Sequence, residues 1–409
     1  MSSEVAELDR TAGNLPDGWR SLRLGDLARL GGGTTPTRGE AAYWDGASVP
    51  WATPSDITSL PTGVNTIATT ESMVSDRALA ECSLTLNPPG TVLMTSRATI
   101  GFAAINAVPM ATNQGFITFN VGCELDAEFL LQWLTAQRAN LVAAAGGSTF
   151  KELSRGTAKL LPIDLPPLDE QRRIAEVLRS MDEAIAANQN ALDFCISLLA
   201  VKRRGAFRHL LTGPDDTAFR LGDICDLGRG FAFKSEDYVD EGVLNFRVTN
   251  VGRPLSDLGE RRFLPESFMD EYDEYVLSGG EIVLVMVGAT VGKLGRVPAD
   301  VCPALLNQNM WTLIAKKPFK PELLWHLAHV LIEEKVHGAQ GGAYAFLTKK
   351  DFLQHRISRF NLDEMAEVVA NLSALESYIE HQAKEVRQLH QLKAALMSDL
   401  LSGRVRVPA

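Results

Sequence analysis

Apolar and polar residues alternate along this chain at two rhythms. Short runs such as Thr91-Val92-Leu93-Met94 and Gly115-Phe116-Ile117-Thr118-Phe119 have strand length and lie between turn residues, which predicts buried strands. The stretch AEFLLQWLTAQRANLVAAA (127–145) has the length and spacing of a helix instead. The same succession returns as EIVLVMV (281–287), MWTLIA (310–315) and ELLWHLAHVLIEEKV (322–336).

After each mixed region comes a much longer helical pattern. In LPPLDEQRRIAEVLRSMDEAI (165–185), Pro166 and Pro167 stop what precedes, and Asp169 and Glu170 place negative charge where a helix would begin. In FNLDEMAEVVANLSALESYI (360–379), Asn361 followed by Glu364 reads as a capping pair. Along the first pattern Ile174, Leu178, Met181, Ile185, Asn188, Leu192, Cys195 and Leu199 fall at alternating steps of four and three. Along the second, Val368, Leu372, Leu375, Ile379, Gln382, Val386, Leu389, Lys393, Leu396 and Leu400 do the same. These are heptad seams. A helix of about 40 residues rises roughly 60 Å, and two such seams most economically cover each other as an antiparallel pair with approximate two-fold symmetry. Asn188 and Gln382 occupy matching seam positions. Either they fix register, because other alignments would bury an unpaired amide, or they face solvent at a loose point.

The two halves are copies. RLGDLARLGGG (23–33) returns as RLGDICDLGRG (220–230), VLMTSRATIG (92–101) as VLVMVGATVG (283–292), and Asn113-Gln114 as Asn307-Gln308. GGSTF (146–150) is matched by GGAYAF (341–346), and the helices close in LLTG (210–213) and LLSG (400–403). Blocks recurring in one order mean internal duplication. The expected architecture is α+β, with two pseudo-repeated globular domains separated by two long helices packed as an antiparallel coiled coil. The expected boundaries are a loose tail at 1–17, a first domain at 18–165, a central helix at 166–213, a second domain at 214–360, and a C-terminal helix with its tail at 361–409.

Composition narrows the class. With 45% hydrophobic residues, the 409-residue chain can bury sizeable cores. Five cysteines with no CxxC suggest neither a disulfide framework nor a zinc site and fit a reducing cytoplasm. The first seventeen residues resemble a loose tail more than a signal peptide, and no span reads as apolar enough to cross a bilayer. The net charge of −10 argues against a tight grip on nucleic acid by this chain alone, and implies that phosphate contact is shared with a more basic partner.

Several motifs mislead. NPPG (87–90) has glycine where the loop of adenine methyltransferases carries an aromatic residue, and no cofactor turn precedes it, so it reads as a plain turn. GATVGK (288–293) is one residue short of a Walker A loop and is followed by Leu294 where Ser or Thr would hold magnesium. Glu333-Glu334-Lys335 reads as a solvated helix face, and His326 with His329 lacks a third metal ligand nearby. No nucleophile, base and orienting group come together, so the chain is expected to be non-catalytic.

Other segments suit a polymer ligand. The loop GGGTTPTRGE (31–40) offers Thr34, Thr35 and Arg38; TSRATIG (95–101) offers Ser96, Arg97 and Thr99; VGATVGK (287–293) offers Thr290 and Lys293. Flexible backbone, hydroxyls and cations can approach a phosphate backbone, or can simply be hairpin turns. Asn113, Gln114, Asn307 and Gln308 carry amides able to read adenine edges or to satisfy a strand end. Lys234 and Arg247 complete the candidate set, whereas Tyr43, Trp44 and Trp51 read as packing residues.

These features together resemble a known family. LPDGW (15–19), GGSTFKELSRGTAKLLPIDLPPLDEQRRIAEVL (146–178) and LKAALMSDLLSGRVRV (392–407) are similar to signatures of the DNA-specificity subunit of type I restriction-modification systems, in that family's order and over nearly the whole chain. The resemblance implies two target-recognition domains, each reading one half of an asymmetric split site in double-stranded DNA. It also implies two modification (methyltransferase) subunits docked around the helices and restriction (motor-nuclease) subunits joining afterwards. S-adenosylmethionine, ATP and magnesium would then sit on those partners, and no cofactor on this chain. The second helix departs from the pattern by opening LDEMAEV, without the paired prolines or the glutamine. The alternative is a protein-binding adaptor of a related defence complex on the same scaffold.

Overall fold

The computed structural model describes residues 15–147, 151–212, 218–252, 259–337 and 348–407. Residues 1–14, most of the GGSTF block, all of GGAYAF and Gly213 lie outside these. The chain divides into two compact units, residues 1–192 with 382–409 and residues 193–381.

The first unit opens with Arg20–Arg23 paired antiparallel to Pro162–Leu165, which ties the start of its globular part to the chain entering the first long helix. A five-stranded sheet follows in the order Ala28–Gly32, Phe116–Val121, Val92–Thr95, Ala103–Asn106, Thr66–Ile67. Val92–Thr95 is buried along its whole length, as its unbroken apolar run requires. A smaller sheet places Val49–Ala52 between Met73–Val74 and Ala111–Thr112, the last pair running parallel. The 127–145 pattern is not one helix. It breaks at Gln137 into Ala127–Ala136 and Arg138–Ala143.

The second unit repeats this plan. Cys225–Arg229, Met310–Ala315, Ile282–Val285 and Leu294–Arg296 form one sheet. Val243–Phe246 again runs parallel to a short partner, Ala304–Leu306, in the other. Pro321–His337 packs its apolar face beneath, with Leu324, Leu327 and Leu331 fully buried.

The first long helix runs Leu168–Thr212 (45 residues) and the second Leu362–Leu401 (40 residues). The first starts where Gln171 is wholly buried. Its amide donates to the carbonyls of Glu124 and Pro166, and its carbonyl oxygen accepts from the Asp126 N–H, so helix start and domain share one polar joint. Glu170, also buried, receives Arg406 through two bonds of 2.6 and 2.7 Å and the Trp19 indole N–H at 3.2 Å. The LPDGW segment, the helix start and the C-terminal GRVRV segment thus meet at one carboxylate. The second helix starts on Asn361, whose side chain accepts from the Asp363 N–H and donates to Glu364.

The helices pack antiparallel. In the first unit Ile174 and Leu178 share a core with Phe129, Trp133, Met397 and Leu400. In the second, Leu199, Phe207 and Leu210 share one with Leu324, Met365, Val369 and Leu372. Each fully buried leucine contributes about 2 kcal/mol by area removed from water. Contrary to expectation, one stretch of the first helix is long and apolar enough to cross a bilayer by length and composition. The reason is that apolar residues lie outside the seam as well as in it, Phe194, Ile196 and Val201 being exposed.

Candidate nucleic-acid interface

The duplicated blocks, far apart in sequence, converge in each domain. In the first, the Thr34 N–H donates to the Thr112 carbonyl at 3.0 Å and the Ser96 N–H to the Gly115 carbonyl at 2.7 Å. This joins the glycine loop, the 95–101 turn and the Asn-Gln turn. The loop passes so close that a Cβ on Gly33 would lie 2.0 Å from the Thr112 oxygen, which is why glycine stands there. The second domain repeats the bonds, Phe231 N–H to Leu306 carbonyl at 2.9 Å and Met286 N–H to Asn309 carbonyl at 3.0 Å. It repeats the close approach too, a Gly230 Cβ falling 1.8 Å from the Asn307 oxygen.

On this common frame the side chains differ. In the first domain the Thr35 hydroxyl donates to the Gln114 carbonyl oxygen, and exposed Arg97 pairs with Glu152 at 2.9 Å. Gln114, Arg97 and Glu152 rim a polar cleft of about 900 Å³ lined also by Arg29, Asn87, Ser96 and Arg155. Thr34 is exposed, whereas Arg38 is stacked over the Trp44 ring at 4.3 Å, and Trp44 meets the buried Trp51 edge-on. Thr99 does not join them outward, its hydroxyl being buried without a partner. Asn113 is used locally, its side-chain oxygen accepting from the Gly115 N–H. Arg29 and Arg155 escaped the sequence reading because one stands on a strand and the other on a short helix, neither in a loop motif.

In the second domain the loop residue matching Thr34 is Phe231, packed on Tyr272 and Tyr275 with ring centroids 4.7 and 5.3 Å apart. Arg229 reaches the Tyr275 hydroxyl at 3.4 Å. Lys234 is exposed and paired with Glu236, and Arg247 is half-buried against Glu260, whose carboxyl it holds below the usual range together with Arg262. Thr290 is exposed and Lys293 half-buried. The Asn307 amide donates to the Asn245 side-chain oxygen at 3.0 Å, while Gln308 is exposed.

Along the long helices, Ile174, Leu178, Ile185, Leu192, Leu372 and Val386 are buried, and Met181, Val368, Leu375, Ile379 and Leu389 are half-buried. Asn188 donates to the Ala184 carbonyl at 2.8 Å and Gln382 to Glu385 at 2.7 Å, so each amide is satisfied on its own helix. Charge instead joins the helices. Asp182 receives Lys393 from the other helix, with side-chain exposures of 11% and 13%, and also the amides of Gln132 at 3.0 Å and Asn65 at 3.1 Å. In the second unit Glu376 receives Arg203 from the other helix and the Trp325 indole N–H at 2.8 Å. Arg203 also donates to His326 Nδ1 at 2.9 Å, which leaves the proton on Nε2 facing Ser373. Burial, with the nearby arginines, pushes His326 and His329 down to about 3.

These two polar joints are counterparts. Asp182 and Glu376 lie equally far beyond Leu168 and Leu362, and Arg203 and Lys393 equally far before the closing Leu-Leu pairs. Among the described residues, no group of three or more His, Cys, Asp or Glu is placed to hold a metal.

A family model described as type I restriction modification DNA specificity domain matches twice, at residues 16–193 and 214–391. The chain belongs to this type I restriction-modification specificity family. Among similar curated proteins is the type I restriction enzyme MjaIX specificity subunit of Methanocaldococcus jannaschii, 36% identical, the alignment covering 99% of this chain and 97% of that one. The Escherichia coli EcoR124I/EcoR124II specificity subunit is 24% identical over 40% of each chain. Two solved structures share the fold. The type I S subunit from M. genitalium superposes with a TM-score of 0.57 at 16% identity, covering 96% of this chain and 98% of that one. A chain from a study of complex assembly and conformational transition in the type I system superposes at 0.58 and 19% identity, covering 96% and 100%. The chain is therefore a specificity subunit with its specificity domain present twice, and the duplication read from its blocks is the family's own.

Proposed function

We propose that each specificity domain reads one half of an asymmetric bipartite site in double-stranded DNA through the face where its three loops converge. The observation that carries this reading is one backbone frame built twice and furnished with different side chains, Thr34, Thr35 and Arg97 in one copy and Phe231 and its tyrosines in the other. A shared frame sets position on the duplex and different side chains select different bases. Residues 18–165 and 214–360 are taken as the reading domains, and 166–213 and 361–409 as the spacer segments. Helices of 45 and 40 residues measure about 67 and 60 Å, on the scale of two duplex turns of about 34 Å each.

The partners in this reading are two modification subunits docked on the long helices, with restriction subunits joining them, all in the cytoplasm. Docking is supported by the apolar surface that the first helix leaves uncovered, Phe194 being 68% and Val201 58% exposed. Adenine methylation and DNA cleavage belong to those partners, which would hold S-adenosylmethionine, ATP and magnesium. The net charge of −10 favours a grip on DNA shared with them, and is also what a protein-binding adaptor would show.

Methylome sequencing of a host with and without the gene separates the two. Loss of a bipartite methylated motif on deletion is expected, and replacing residues 18–150 by those of a relative should change one half of the motif only. Methylation that persists unchanged without the gene would establish the adaptor instead.

A further inference from the structure

Resting on the reading above, we infer that Gln114 and Gln308 are paired base-reading residues, each reading a base that the two otherwise different half-sites have in common, while the asparagine before each holds it in place. The duplicated dipeptide Asn-Gln sits at the same point in both domains, one step past the end of the parallel ladder. In the first domain the ladder is Ala52 beside Thr112, and the Asn113 N–H donates to the Ala52 carbonyl at 2.9 Å. In the second it is Phe246 beside Leu306, and the Asn307 N–H donates to the Phe246 carbonyl, also at 2.9 Å.

The two amides of each dipeptide divide their work. Both asparagines spend their side chains inside the protein, Asn113 on the Gly115 N–H and Asn307 on Asn245. Both glutamines are exposed. The turn that follows is tight in the second domain, Asn309 taking a φ of 71°, and in the first a Gly115 Cβ would press on Asn113 and Pro54 at 3.0 and 3.1 Å. Each glutamine is thus carried on a turn anchored at both ends, the next residue's carbonyl accepting from Ser96 or Met286.

Gln114 also has its surroundings arranged. Its carbonyl oxygen accepts from the Thr35 hydroxyl, which orients the amide plane and leaves the second lone pair of that oxygen and both N–H donors for a ligand. It lines the cleft with Arg29, Arg97 and Arg155, cations suited to the phosphates on either side of a base that an amide would read. A carboxamide matches the adenine edge, accepting from N6 and donating to N7, and a carboxylate in its place would accept from cytosine N4.

The test uses the complete methylating complex in a host, with motifs read by methylome sequencing. Gln114→Ala should relax one position in one half-site by about tenfold or more, with the other half and the gap unchanged. Gln308→Ala should do the same in the opposite half, and Gln114→Glu should move the preference at its position from adenine towards cytosine. Asn113→Ala, which loosens the turn that carries Gln114, should lower the unfolding midpoint and relax the same motif position by less than Gln114→Ala does. An unchanged motif with either glutamine variant, relaxation in both halves at once, or loss of all methylation by a complex that still assembles would overturn the inference. Failure of the underlying reading is seen separately, as methylation that survives deletion of the gene.

Discussion

Lys393→Met tests the polar joint of the first unit. Lys393 and Asp182 are nearly buried and come from different helices, and Asp182 is further held by Gln132 and Asn65. Removing one partner of a buried pair leaves a charge without compensation, at a cost of about 3–5 kcal/mol. The two remaining amide donors keep that loss near the lower end, about 3 kcal/mol. The double variant Asp182→Leu/Lys393→Met removes both charges and leaves one buried amide, that of Gln132, short of an acceptor at about 1–3 kcal/mol, half-buried Asn65 being able to turn to water. The double variant is therefore expected to be more stable than the single one. Denaturant titration read by hydrogen exchange on Ala127–Ala136 and Val92–Thr95 would report this for the first unit alone, and a double-mutant cycle gives the coupling. If Lys393→Met stays within about 1 kcal/mol of the parent, or the double variant is no better than the single, the joint does not hold the helices together.

Arg406→Ala should lower the unfolding midpoint of the first unit clearly more than Arg404→Ala does. The first strips a buried carboxylate, while the second breaks an exposed pair with Asp399, and equal effects in thermal melts would refute the distinction. The second unit should lose stability in mild acid. His326 and His329, held at about 3, take up no proton while folded but do so from about pH 6.5 when unfolded. Stability is then full above pH 6.5 and falls towards pH 3 by about 1.4 kcal/mol per pH unit for each histidine. His326→Gln, which copies Gln132 of the first domain, should shallow that slope, and an unchanged slope in denaturation at pH 7 and pH 5 would count against it. Inserting one heptad in both long helices adds about 10 Å, or about three base pairs, to the unread gap and leaves the half-sites as they were. Altered half-sites with a constant gap in the methylome would contradict the helices' role as spacer.

Periodicity carried most of the fold into view. Val92–Thr95 and Ile282–Val285 are strands because an unbroken apolar run needs cover on both faces, and the steps of four and three along Ile174 to Leu199 trace one stripe of a helix. The joints between elements were not legible, since a buried Asp182 or half-buried Glu376 looks like any surface acid until its partner, some two hundred residues away in the chain, is placed beside it. The amides at Asn188 and Gln382 drew attention because they interrupt an apolar pattern, yet they bond within their own helices. Of the candidate interface, the duplicated loops were legible as motifs. Arg29 and Arg155 were not, because only folding brings a strand and a short helix to the same cleft.

The core that Ile174 and Leu178 enter is completed by Met397, Leu400 and Leu401, and its carboxylate clasp by Arg406. The ribosome makes these residues some two hundred positions after the rest of their unit. At about 5–20 residues per second, residues up to 192 wait on the order of ten to forty seconds for their closing piece, while residues 193–381 emerge as one uninterrupted stretch. A nonsense codon ahead of Met397 would accordingly strike the domain encoded some two hundred codons earlier, and the nascent chain has most need of a chaperone during that interval.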